Sequence, residues 1–382
     1  MNNRICGIIS NIDNKEKVSE LTERRDLSTL TFDCKYRIID FPLSNVMNAD
    51  CNTVYFTLSQ RSFQSVSDHL GSGREWGFDG IRKRYFTYVT DPQDLFKDNI
   101  YYENLIDYLK KSKSVVTFVM GTDIIANVDL NPVVAFHHQE GAVITAIYKN
   151  VLADKLSQYC NLLELDEFGV ITGVTCESAE PQDTYTSLCL NDFVVDTQWL
   201  IKRLELAVEG QENLTLQELI YSSLLGGEKT VGYDFNGYIS NIFDIQSYFQ
   251  SNMDMLSYPK MHNLLFGENK VYTKLKNEAP TYYCQDSNVK KSHFGAGCVI
   301  RGTIQNSIIS RLVKVELGSV VRNSIIMGGT KIGENVQIQY AIIDKNVVID
   351  DDVKITGTLN EPVVISKGSH ITKNVEGRVI TA

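Results

Sequence analysis

The stretch Thr330-Lys331-Ile332-Gly333-Glu334-Asn335-Val336-Gln337-Ile338-Gln339 places an isoleucine at every sixth position. The step runs outward from it. Val320 and Ile326 precede at the same spacing, and Ile343, Ile349 and Ile355 resume it after one slip. Aliphatic companions follow four residues on at Val336, Ile342, Val347 and Val353, and turn formers fill the remainder (Gly318, Gly328, Gly333, Asn335, Asp350). A period of six suits neither an amphipathic helix nor a half-buried strand. It marks a parallel β-helix, in which each coil stacks its aliphatic ladder on the next. Such a solenoid has flat faces and open ends, so another domain or a partner subunit is expected to cap it.

Upstream the period changes. Residues 257–284 lose regular patterning and contain Pro259 and Pro280, which reads as a linker. Before it, short apolar runs recur at Arg4 to Ser10, Thr53 to Leu58, Val115 to Met120 and Ala142 to Ile147. Helical patterns lie between and after them at Ser59 to Leu70, Ile100 to Lys110, and Leu130 to Gln139 with Pro132 in its first turn. That alternation predicts βαβ units and a mostly parallel sheet. The expected division is 1–256 for this α/β domain, 257–284 for the linker and 285–382 for the β-helix. Ligands of such sheets collect at the carboxyl ends of the strands, so the loop after the first strand is the place to look for nucleotide chemistry.

A chain of 382 residues is long enough for two cores. A formal net charge of −10 argues against nucleic acid or an anionic membrane as the main partner. The eight cysteines form no Cys-x-x-Cys pair, which excludes the usual zinc-ribbon and redox spacings. Ile5 to Ile9 is too short an apolar run for a signal peptide or a membrane span. Reduced cysteines and a cytoplasmic location are expected.

The segment Lys35-Tyr36-Arg37-Ile38-Ile39-Asp40-Phe41-Pro42-Leu43-Ser44-Asn45 sets an Arg and an Asp three apart in an apolar run, at a strand or turn entering a helix. Charges held inward there need partners, because a lone buried charge costs roughly several kcal/mol. A structural ion pair is one reading. The segment also resembles the Lys-Tyr-Arg-Ile-Ile-Asp-Phe-x-Leu-Ser-Asn signature of glucose-1-phosphate adenylyltransferases, the ADP-glucose pyrophosphorylases. The resemblance runs from the first strand through the hexads. It implies a Rossmann-like nucleotidyltransferase (GT-A-like) domain followed by a left-handed parallel β-helix of hexapeptide repeats. Lys35, Arg37 and Asp40 then become substrate-binding candidates, with service to the fold alone as the alternative.

Against the family pattern, the catalytic elements are degraded one after another. The resemblance calls for Gly-Gly-x-Gly-Thr-Arg after the first strand, so that backbone amides approach the phosphates unobstructed. Here the chain reads Asn11-Ile12-Asp13-Asn14-Lys15-Glu16-Lys17-Val18, and no glycine occurs between Gly7 and Gly71. The family's phosphate-neutralising lysine falls on Leu27, and loss of one such donor typically costs about 10²–10³ in rate. The glycine of the family's Gly-Thr-Ala-Asp turn is also missing from Phe96-Lys97-Asp98-Asn99. Of the two carboxylates implied for Mg²⁺, Asp123 survives as a vestigial candidate with a strand-end cap as its alternative, while Asn241 stands at the second position. Asp244 is a displaced substitute for it. The sugar-phosphate lysine has no counterpart, since no Lys or Arg lies between Lys155 and Lys202 and Gly173 to Pro181 carries two acidic residues instead.

Other features stay open. Arg74, Arg82, Lys83 and Arg84 lie in a glycine-bearing segment that reads as a solvated loop, with an effector site or subunit contact as the alternative. His137-His138 lacks helical metal-ligand spacing. His293 and His370 are the candidate bases if the β-helix belonged to an acyltransferase, and neither has an acidic orienter nearby in the sequence. The degraded elements resemble the GlgD type of the family. That resemblance implies a regulatory subunit, non-catalytic or weakly catalytic, with no required cofactor and no metal site of its own. The expected partner is a catalytic GlgC-type subunit in a hetero-oligomer, of tetramer size, with a homo-oligomer when the chain is alone. A nucleotide or sugar-phosphate effector is a further expected ligand, and Mg²⁺ enters only with residual adenylyltransferase activity. The rival is an active glucose-1-phosphate adenylyltransferase with a rebuilt phosphate loop.

Overall fold

The computed structural model describes residues 4–10, 12, 18–23, 25–80, 83–91, 94–97, 99–152, 160–175, 185–377 and 379–380. These fall into two compact units. One comprises Met1–Lys15, Ile39–Asn241 and Gly267–Tyr272; the other comprises Glu16–Ile38, Ile242–Phe266 and Thr273–Ala382. The units therefore cross the linear division expected from the sequence. The segment read as a linker also holds a helix, Tyr258–Leu265, with Pro259 in its first turn, where a missing N–H costs nothing.

The first unit is built on a nine-stranded sheet. Strand Ile5–Ser10 lies between the parallel strands Thr53–Ser59 and Val116–Met120, and Arg84–Thr90 extends the parallel part to an edge. The first three are largely apolar runs buried on both faces, as parallel strands covered by helices must be, while Arg84–Thr90 at the edge is not. Ile8 packs with Tyr101, Leu105 and Leu200 on one face, and its neighbour Ile9 with Leu43, Val46 and Phe118 on the other. Beyond Val116–Met120 comes Tyr185–Asp196, a twelve-residue strand running antiparallel to it. Helix Gln60–Leu70 begins on the Ser59 side chain, which accepts from the amide of Ser62 at 3.2 Å. Helix Leu130–Glu140 stops at Gly141, whose φ of +59° only glycine adopts readily.

The second unit holds three six-stranded, all-parallel sheets, the faces of a left-handed parallel β-helix. Its central coils repeat every seventeen residues: Ile332 pairs with Ile349, Ile338 with Ile355, and Ile326 with Ile343. The slip in the hexads therefore falls once in each of these coils, while flanking coils depart from that length, as where Val299 pairs with Lys314 and Ile349 with Ile371. It also moves one expected ladder position. Val321, not Val320, points inward, at 0% exposure against a half-buried Val320, and it stacks beneath Ile338. A hydroxyl ladder runs beside the aliphatic one. Ser292, Ser307 and Ser324 accept in turn from the amides of Ser307, Ser324 and Ala341, at 3.1 to 3.2 Å. At one corner Asn306, Asn323 and Tyr340 all have φ between +46° and +49°, the left-handed region that asparagine tolerates. The N-terminal piece of this unit, residues 18–38, contributes a short 3-10 turn, Leu27–Thr29, and a hairpin, Thr31–Phe32 with Tyr36–Arg37.

Candidate functional site

In the first unit the strand Val116–Met120 ends in Gly121-Thr122-Asp123. Strand Ile239–Asn241 pairs antiparallel with Ile124–Ala126 and sets Asn241 opposite Ile124, the residue after Asp123. The two positions assigned to metal carboxylates are thus neighbours in space, and one of them is an amide. The Asp123 carboxylate is already engaged. Asn191 Nδ2 donates to both of its oxygens, at 3.3 and 3.2 Å, from a left-handed residue (φ +60°) inside the irregular stretch of the long strand. Asn191 Oδ1 in turn accepts from Asn161 Nδ2 at 3.1 Å and from Tyr221 Oη at 2.5 Å. Next to it, Asp192 accepts the Gly121 amide at 3.2 Å, and burial, aided by the charge of Asp123, pushes its carboxyl well above the usual range.

A divalent metal finds little here. The donor set offers one occupied carboxylate and the neutral Asn241 Oδ1, a buried oxygen with no hydrogen-bond partner. No group of three or more His, Cys, Asp or Glu able to hold a metal ion occurs among the described residues. Mg²⁺ demands near-octahedral oxygen ligation with carboxylate charge, and the residues present do not fit it. Asp244 is no substitute, because its side chain caps helix Ile245–Asp254 and accepts from the Ser247 amide at 2.7 Å. Leu27 is buried at 4% exposure, so an apolar core residue stands where the family has a cation. Most of the loop after the first strand, Arg82, Asp98 and residues 176–184 of the sugar-phosphate segment lie outside the described residues.

The signature segment separates by role. Lys35 is exposed, with its ammonium 5.2 Å from the centre of the Tyr36 ring. Arg37 is half-buried in the hairpin. Asp40 opens helix Asp40–Asn48 with no exposure and receives His69 Nε2 at 2.5 Å, while the His69 ring stands edge-on to Trp76. The side chain does point inward, and a histidine twenty-nine residues away holds it. Of the other basic candidates, Lys83 is paired with Asp50 at 2.6 Å, and Arg74 and Arg84 are exposed. His293 and His370 do have acidic orienters after all: Asp33 at 2.6 Å and Asp350 at 2.7 Å. Both pairs close only across coils or segments remote in sequence.

Cations converge instead within the second unit, at positions spread from 25 to 367. Arg25 is buried and its guanidinium pairs with Asp344. Beside that pair sits half-buried Lys345. Burial, then the charges of Arg37, Arg25 and Lys367, lower its ammonium to about 7 against the opposing pull of Asp344. Arg37 acts also on Lys276, whose amine is lowered by burial, Lys274, Arg311 and Arg37, with Glu278 opposing. The two carboxylates facing this basin are both occupied, Asp344 by Arg25 and Glu278 by Arg311. Of these cations only Arg37 lies in the signature segment; the others come from positions far apart in the chain.

A mixed, mostly parallel α/β sheet and a hexapeptide β-helix in one chain have the architecture of the nucleotidyltransferase fold. The chain belongs to the nucleotidyl transferase family, whose pattern matches residues 16–257, and a GlmU-like C-terminal hexapeptide pattern matches 280–375. It is similar to the glycogen biosynthesis protein GlgD of Bacillus subtilis, at 27% identity over 96% of this chain and 97% of that one. It is equally similar to the glucose-1-phosphate adenylyltransferases of Bacillus mycoides and Bacillus anthracis, at 27% identity over 92% of this chain and 95% of each of those. Within the family, then, the chain is similar alike to GlgD and to the glucose-1-phosphate adenylyltransferases. No helix among the described residues is long and apolar enough to cross a membrane.

Proposed function

We propose that this chain is a regulatory subunit of ADP-glucose pyrophosphorylase, non-catalytic or nearly so, which modulates a catalytic GlgC-type partner. The observation that carries the reading is Asn241 beside Asp123. Nucleotidyl transfer needs a metal held by paired carboxylates, and this seat has one, already bonded to Asn191. Leu27 in the core supports it, because no cation stands there to meet a developing phosphoryl charge. Arg25, Arg37 and Lys345, cations whose fields act on one another in the second unit, support the regulatory half, since gathered positive charge suits a phosphorylated effector such as a nucleotide or sugar phosphate.

The test is ADP-glucose synthesis with Mg²⁺ by the purified chain alone and mixed with a catalytic subunit from the same source. The expected result is negligible turnover alone and a changed rate or effector response in the mixture. Robust turnover alone overturns the non-catalytic reading, and unchanged partner kinetics overturn the modulator role.

A further inference from the structure

A cleft of about 450 Å³ opens in the first unit, at the end of strand Val116–Met120 away from Asp123. Its sides are the last turn of helix Ile100–Ser112, residues 113–115 leading into the strand, and the first turns of helix Thr197–Glu209. Leu109 and Ile201, members of one core cluster, wall it with apolar surface. Val115 lies between them in the chain's path with 46% of its surface exposed, its carbonyl fixed by the Thr197 amide at 2.9 Å. Ser114 lines the same cleft at 5% exposure. Its amide is bonded to Ser112 Oγ at 3.1 Å, but its own Oγ has no hydrogen-bond partner. Buried hydroxyls in folded proteins are nearly always bonded, so this orphan calls for an acceptor. Serine has staggered alternatives at χ1 through which the hydroxyl turns to meet one.

The charges around the cleft are unequal. Lys113 is exposed, and no ion pair or hydrogen bond engages its ammonium among the described residues. Lys110 is held by Glu205 at 2.7 Å. The carboxylate in the lining, Asp196, is spent as a helix cap and accepts the Trp199 amide at 2.7 Å. Gln198 adds a side-chain amide at the first turn of that helix, where the dipole is positive. What remains free is rich in donors and set over an apolar floor. An inorganic anion leaves that floor wet, and a neutral hydrocarbon leaves the donors unmet.

We propose that this cleft binds a small organic carboxylate. The head group takes bonds from the Ser114 hydroxyl and the Lys113 ammonium, and the hydrocarbon body lies on Leu109, Val115 and Ile201. The site stands at the opposite end of the strand from Asp123 and does not rest on the regulatory reading above.

Hexanoate is the probe, titrated calorimetrically into the full chain at constant ionic strength, with acetate and 1-hexanol as comparisons. Hexanoate is expected to bind one site at least about tenfold more tightly than acetate, because its added methylenes leave water. 1-Hexanol, lacking the charge, is expected to bind more weakly than hexanoate. Ser114→Ala deletes only the orphan hydroxyl, so its melting temperature is expected to match or exceed the parent's while hexanoate affinity falls about three- to tenfold. Lys113→Gln is expected to weaken hexanoate about threefold at low salt and to leave 1-hexanol unchanged. No saturable hexanoate binding, equal affinity for acetate and hexanoate, or parent-like hexanoate affinity in either variant overturns the site.

Discussion

Asp40 shows what a single charge can and cannot say from its place in the chain. Its apolar neighbours announced burial, but its partner His69 is set by how helix Gln60–Leu70 packs on the sheet. Removing one partner of a buried hydrogen bond typically costs about 1–3 kcal/mol. His69→Ala is therefore expected to lower unfolding free energy by about 2 kcal/mol in urea titrations, with little change in the denaturant slope. His137 offers a second residue-scale case. It is buried, bonded through Nδ1 to Thr145 Oγ1 at 2.9 Å, and burial together with His138 lowers it to about 4. The folded value lies below the unfolded one, so the unfolded chain binds the extra proton. This contribution is complete above the ordinary histidine range of about 6.5 and is lost as pH falls toward about 4. His137→Asn is expected to flatten the acid arm of the stability profile between those values, as read by thermal melts across pH.

At the scale of elements, the β-helix ladder is the most demanding pattern in the chain. Every coil must present its aliphatic side chain at the same height, and Ile338 does so at 1% exposure between Val321 and Ile355. Ile338→Ala is expected to cost about 2–5 kcal/mol, combining lost transfer energy with a cavity that a solenoid cannot collapse. Val320→Ala, one residue out of register with Val321, is expected to cost less than about 1 kcal/mol. Comparison of Val320→Ala with Val321→Ala in chemical denaturation checks the seventeen-residue register directly. A larger loss at Val320 contradicts it. The hexad count misplaced that position because a uniform step of six ignores the shorter corner in each coil.

For the whole molecule, the surprise is which chain segments make up each unit. The N-terminal stretch through Ile38 belongs with the β-helix, tied by Arg25 to Asp344 and by Asp33 to His293. A fragment beginning at Thr273 keeps the coils but strands Asp344, a 3%-exposed carboxylate, without its guanidinium. Such a fragment is expected to unfold at lower denaturant than the same coils in the full chain, measured by circular dichroism. Equal midpoints count against the N-terminal segment as part of that core.

What the sequence determined by itself was periodic or local. The hexads specified a parallel β-helix, the alternating apolar runs specified a mostly parallel sheet, and residue identity alone put a leucine at position 27 and an asparagine at 241. Each depends on contacts between near neighbours in the chain or on residue identity alone. Tertiary structure alone decided that Asp123 is held by Asn191, that Asp40 pairs with His69, and that Arg25 pairs with Asp344. Those groupings join positions tens to hundreds of residues apart. Stacked coils and packed helices create such proximity, and no repeat or motif in the linear chain encodes which distant charges will meet.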